Sequence, residues 1–123
     1  MLTFDPIRRY GRSLFYGYLA AVMALATWPL QHPVGSANDK VNHLAAFAVY
    51  YLLGRWSHPA ARTRWLLLSG LAYGALIELV QYFEPFRQCS FWDLMADLAG
   101  LAAAWAALLA CQTVRNKIRI RAS

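Results

Sequence analysis

Charged side chains are scarce in this sequence. They make up 15% of its 123 residues, where a soluble domain carries about 25%. That leaves too little polar surface to cover a small water-soluble fold. Acids are scarcer still, with 6 Asp+Glu against 12 Lys+Arg and a net charge of +6. Cysteine is limited to Cys89 and Cys111, and both are read as incidental. The chain also has no nucleophile elbow, metal-binding triplet or phosphate loop. A zinc site would need more ligands than Cys89 and His43 supply, so neither a metal nor a cofactor is expected.

Hydrophobic residues, by contrast, are 59% of the chain, and they come in runs. A helix needs about 20 apolar residues to cross the roughly 30 Å hydrocarbon core of a bilayer. Ser13 to Leu30 comes close to that length without a charge. Trp65 to Phe83 matches it with Glu78 as its one carboxylate, and Leu94 to Cys111 does so with Asp97 as its one charge. A weaker run, Val41 to Trp56, carries His43 and Arg55 and becomes comparable when extended back to Asp39. The expectation is an all-α polytopic membrane protein: one domain over 1–123, a compact four-helix bundle with spans at about 13–30, 39–56, 65–83 and 92–111 and short loops. Arg8, Arg9 and Arg12 followed by an apolar run and Ala24-Leu25-Ala26 outline a signal peptide. Asp5 and the three further spans weigh against that alternative.

Orientation follows from the cations. Arg8, Arg9 and Arg12, then Arg55, Arg62 and Arg64, then Arg115, Lys117, Arg119 and Arg121 fall on one side; Lys40 and Arg87 fall on the other. The positive-inside rule then makes both termini cytoplasmic. Trp28 and Trp92 mark outer ends and Trp56 and Trp65 inner ends, as an aromatic belt would. Each basic cluster adjoins a span, which fits contact with anionic lipid and excludes a folded basic face for nucleic acid. Cys89 and Cys111 fall on opposite sides of the bilayer and cannot pair within one chain.

Ionisable groups inside a span cost about 2.5–3.5 kcal/mol each at mid-helix, so Glu78 and Asp97 carry the most information. Gly70, Gly74, Glu78 and Gln81 share one helical face, and Gly70-Leu-Ala-Tyr-Gly74 is a small-xxx-small pattern suited to close helix packing. Asp93 and Asp97 are one turn apart, beside a stripe of Ala96, Gly100 and Ala104. Ser90-Phe-Trp-Asp93 resembles a capping box with Asp in place of Glu. Asp39 opens the second span and His43 follows one turn inward. The expected constellation at the outer face is therefore Asp39, His43, Glu78, Gln81, Arg87, Ser90, Asp93 and Asp97, with Gly70, Gly74, Gly100 and Ala104 as packing positions. Each has a plainer reading as well. Asp39 and Ser90 serve as helix caps, Gln81 as a cross-helix hydrogen bond, His43 as an interfacial histidine, and Asp93 with Arg87 as a loop-fixing ion pair.

The ordered set Asp39-Lys40-x-x-His43-x-x-Ala-Phe47, Glu78-x-x-Gln81, Arg87-x-x-Ser90-x-x-Asp93 and Asp97-x-x-Gly100 resembles the VanZ-like family over about residues 39–104. Many relatives have Asn at the position of Asp97 and Gly at that of Ala104. The resemblance implies a bacterial, polytopic, envelope-linked protein. The family's namesake is associated with lowered susceptibility to teicoplanin, and no reaction is established for the class. Four functions remain open on this basis. One is recognition of a lipid, lipid-linked glycan or lipoglycopeptide-type ligand. The others are an intramembrane enzyme with Glu78 or His43 as general base, a small proton-coupled transporter, and an assembly subunit for a membrane-protein partner. Membrane lipids and a homo-oligomer complete the expected partners.

Overall fold

The computed structural model describes residues 6–27, 37–84 and 91–123, without the side chains of 6–8 and 37–39. Among the described residues there are four helices and no strand: α1 (Pro6–Thr27), α2 (Ala37–Ser57), α3 (Thr63–Tyr82) and α4 (Phe91–Ala122). Pro6 stands at the first helical position of α1, where its missing N–H costs nothing. Arg62 precedes α3 in an extended conformation, and α3 closes where the Phe83 N–H turns back to the Val80 carbonyl. The α2–α3 connection is braced by Arg55, whose guanidinium donates to the Ala61 carbonyl at 2.5 Å and the Thr63 hydroxyl at 3.0 Å. A residue read as a topology signal thus also fastens a loop.

Helix boundaries depart from the expected spans in an instructive way. The expected last span ends at Cys111, yet α4 continues to Ala122 through Arg115, Lys117, Arg119 and Arg121. Arg, Lys and Gln are good helix formers, so the charges that end an apolar run do not end the helix. At 1.5 Å per residue the 32 residues of α4 reach about 48 Å. Likewise α2 begins at Ala37, which places Asp39 third in its first turn. By length and composition two helices, α3 and α4, are long and apolar enough to cross a membrane, and among the described residues α1 and α2 fall short of that measure.

Cross-helix contacts fix the topology. Gly11 faces Ser57 and Trp56, and Gly54 faces Phe15, so α1 and α2 are antiparallel. Gly70 faces Leu101 and Tyr50 while Gly74 faces Asp97 and Phe47, so α3 runs against α4 and α2 alike. The result is an up-down-up-down bundle in which α2 touches every other helix and packs most extensively on α4. Its core is Phe15, Phe47, Tyr50, Tyr51, Leu66, Ile77, Leu101 and Ala104. Tyrosines tie the outer helix down: the Tyr18 hydroxyl donates to the Ala46 carbonyl, and the Tyr73 hydroxyl to the Leu19 carbonyl.

Small residues set how closely the helices approach. A Cβ on Gly70 would fall 2.7 Å from Leu101 Cδ2, and one on Gly74 2.7 Å from Asp97 Oδ2. At Gly100 a Cβ would overlap the backbone carbonyl of Leu44, so α2 and α4 touch backbone to backbone there. Ala104 is buried one turn further along.

Much of the flank outside this core is apolar. Leu68, Leu76, Leu79, Leu98 and Leu109 are all more than one-third exposed, as are Trp56, Trp65 and Trp92.

Candidate functional site

The first turns of α2 and α4 and the last turns of α3 meet at one end of the bundle. Lys40 and His43 are three apart on α2 and share a face, as do Asp93 and Asp97, four apart on α4. The close α2–α4 crossing at Gly100 brings these two faces together. His43 Nδ1 lies 2.7 Å from Asp97 Oδ1, while its Nε2 is 3.8 Å from Asp93 Oδ2. Lys40 Nζ is paired with the other Asp93 oxygen, Oδ1. Glu78 reaches the same space from α3, and one ligand atom from each of His43, Glu78 and Asp93 lies within 4.8 Å of the others.

These groups are withdrawn from solvent. Asp97 is fully buried, Asp93 4% exposed and Glu78 6% exposed. The His43 and Lys40 side chains are 14% and 32% exposed, so Lys40 forms the rim. Burying charge is costly unless it is paired, and both aspartates have a partner of opposite or switchable sign. With Asp97 ionised, Nδ1 of His43 is the donor in that bond, and the neutral ring then presents its lone pair at Nε2. Gly74 makes room for the arrangement, since any Cβ there would strike Asp97. Below the cluster the packing turns apolar at Phe47, Ile77 and Leu101, each 2% exposed or less.

Of the expected residues, the structure brings together His43, Glu78, Asp93 and Asp97. Gln81 is buried beside them in sequence, but its Nε2 donates to the Ala26 carbonyl of α1 at 3.0 Å, the cross-helix role. The side chains of Asp39, Arg87 and Ser90 lie outside the described residues, as does any Arg87–Asp93 pair. The cation on Asp93 among the described residues is Lys40. Sequence reasoning counted Lys40 among the outer cations without assigning it to the site; its position three residues before His43 was the available signal. A second polar group went unnoticed at the opposite end, where His58 lies 2.8 Å from the buried Ser57 hydroxyl and 3.4 Å from the Tyr16 hydroxyl. Nothing in a serine and a histidine at a helix end marks them in advance. Among the described residues Cys111 is a free, exposed thiol.

No family model matches the chain, and neither a curated protein nor a solved structure does. The geometry can do three things chemically. A half-buried imidazole oriented by a carboxylate can take a proton, clustered carboxylates can accept hydrogen bonds from hydroxyls or amines, and imidazole with two carboxylates can ligate a cation.

Proposed function

We propose that this chain is a four-span protein of the bacterial inner membrane, similar to the VanZ-like family, that recognises the polar headgroup of an envelope lipid, lipid-linked glycan or lipoglycopeptide-type ligand at the outer end of the bundle. One observation carries the reading: Lys40, His43, Glu78, Asp93 and Asp97 converge from three helices at one end of a bundle whose flanks expose leucine and tryptophan. Exposed apolar area on this scale marks a lipid or partner surface, not a water-facing one. α2 falls short as an isolated span because Asn38, Asp39, Lys40, Asn42, His43 and Arg55 are polar, and of these Lys40 and His43 pair with α4 inside the bundle. In lipid the hydrophobic effect no longer drives helices together, so close packing at small residues and cross-helix hydrogen bonds must do so. The crossing at Gly100 and the Tyr18, Tyr73 and Gln81 bonds supply both. The cations on the α2–α3 connection and on the end of α4 support cytoplasmic termini.

In this reading the Lys40 ammonium at the rim meets phosphate, while Glu78 and the aspartates accept hydrogen bonds from sugar hydroxyls or amines. Native mass spectrometry of gently solubilised wild type beside Glu78→Ala tests it. A discrete headgroup-bearing lipid on the wild type and its loss in the variant is the expected result; equal, heterogeneous lipid on both would refute it.

The His43–Asp97 pair favours one alternative, an intramembrane hydrolase or transferase in which His43 Nε2 takes a proton from the attacking hydroxyl while Asp97 stabilises the imidazolium. Turnover of an envelope lipid that vanishes in His43→Gln would establish it; absence of turnover would leave recognition alone.

A further inference from the structure

We infer that the cluster is a binding site for one divalent transition-metal ion of the zinc class, held by His43 Nε2, a Glu78 oxygen and Asp93 Oδ2, with Asp97 as the positioning residue behind His43. The inference goes beyond the headgroup reading and stands whether or not a lipid is recognised there.

Three features point the same way. The first is the donor set. One imidazole and two carboxylates come from three different helices, with ligand atoms already within 4.8 Å of one another. Bonds of about 2.0–2.2 Å to a tetrahedral ion place ligand atoms roughly 3.3–3.6 Å apart. The 3.8 Å from His43 Nε2 to Asp93 Oδ2 is too long for a hydrogen bond and within a few tenths of that spacing. Small side-chain rotations close the rest.

The second is the backing of the histidine. A metal-bound imidazole as a rule donates its other N–H to a carboxylate, which fixes the ring and raises its basicity. Asp97 Oδ1 stands at 2.7 Å from Nδ1 for that purpose, fully buried and pressed against Gly74. A histidine whose only task was to neutralise Asp97 would not require two further carboxylates around its other nitrogen.

The third is charge. Glu78, Asp93 and Asp97 contribute −3 when ionised and Lys40 contributes +1. The amino ends of α2 and α4 add about +0.5 each. The sum is about −1, and a divalent ion turns it to about +1. The imidazole selects against calcium and magnesium, which prefer oxygen alone. Three protein ligands leave a fourth position open, the arrangement of zinc sites that meet a ligand or water. A loaded site would therefore present a Lewis acid and net positive charge to a phosphate, hydroxyl or carboxylate arriving past Lys40.

Lys40 gives the proposal an unusual handle. Its ammonium occupies Asp93 Oδ1 and competes electrostatically with an incoming cation. Removing it should tighten metal binding, whereas a purely structural Lys40–Asp93 pair would give no such gain.

The test is titration of chelator-stripped, detergent-solubilised full chain with zinc chloride, read by calorimetry, with cobalt(II) chloride as the spectroscopic probe. One equivalent should bind, and cobalt should develop the visible absorption of a low-coordinate nitrogen–oxygen site. His43→Gln, Glu78→Gln and Asp93→Asn should each weaken binding by about 100-fold or more, and Asp97→Asn by about 10–100-fold. Lys40→Gln should tighten it, while His58→Asn at the far end of the bundle leaves it unchanged. Circular dichroism and gel filtration check that each variant folds. Should the ligand variants not fold, the wild-type cobalt spectrum and the direction of the Lys40→Gln change decide. Absence of saturable binding by the wild type overturns the proposal, as does binding that survives in folded ligand variants or a Lys40→Gln protein that binds no tighter. Lipid bound in native mass spectra is a separate reading, so loss of the metal site and loss of the headgroup site are distinguishable.

Discussion

His43 Nδ1 sits 2.7 Å from a carboxylate oxygen of Asp97 on another helix, and the aspartate itself is fully buried. The pair joins the start of α2 to the second turn of α4, and it orients the imidazole toward Asp93 and Glu78. Removing one partner leaves a buried polar group unsatisfied. Asp97→Leu, which unlike asparagine leaves no acceptor for the His43 N–H, should therefore lower stability by about 1–3 kcal/mol. Thermal unfolding in detergent checks this, and nitrogen-15 chemical shifts of His43 should report a changed tautomer population. An unchanged melting temperature and ring would mean that the pair does not form.

Gly100→Ala should be among the most damaging single-methyl changes in the chain. The added carbon meets the Leu44 backbone carbonyl, which cannot rotate away. Overpacking of this kind costs about 1–3 kcal/mol. Gly17→Ala is the matched control, because nothing lies within 4 Å of its Cβ position. There the better helix propensity of alanine should stabilise by roughly 0.5–1 kcal/mol. Opposite shifts in unfolding temperature for the two substitutions are expected, and shifts of the same sign would refute the packing described.

Tyr73→Phe and Gln81→Leu remove donors to the Leu19 and Ala26 carbonyls, both on α1. Each should cost about 0.5–1.5 kcal/mol, the net range for a typical intramolecular hydrogen bond. Hydrogen exchange should show faster opening of α1 with little change in α4. Uniform loss of protection across all four helices would argue against the local role.

Orientation is directly measurable. In a background with Cys89 and Cys111 replaced by serine, Ser123→Cys should react with a membrane-impermeant maleimide only after the cytoplasmic face is opened. Trp92→Cys, at an exposed position beside the polar cluster, should react in intact spheroplasts. The reverse pattern would invert the proposed topology.

Helix number and most of the cluster were legible in the chain because both rest on local pattern. Glu78 and Asp97 interrupt apolar runs, and His43 and Asp93 stand one turn from other polar residues. Pairing was less legible. Whether Asp93 meets Arg87 or Lys40 depends on the register between α2 and α4, which Gly100 and Leu44 set through contact. Gln81 shares a face with Glu78, yet the angle of α1 decides that its amide goes to Ala26. Helix ends were misjudged where apolar runs stopped and good helix formers continued, as at Arg115 to Arg121.

The apolar layer of Phe47, Ile77 and Leu101 has one more consequence. It lies directly beneath the buried carboxylates and is itself 2% exposed or less at each residue. If the chain spans the membrane as proposed, a cluster floored in this way is reached from one face only, and its occupancy should track the composition of that one compartment. In that proposed orientation, protons and ions exchanging there would cross little of the transmembrane voltage, so binding should be indifferent to membrane potential and sensitive to the medium on that face.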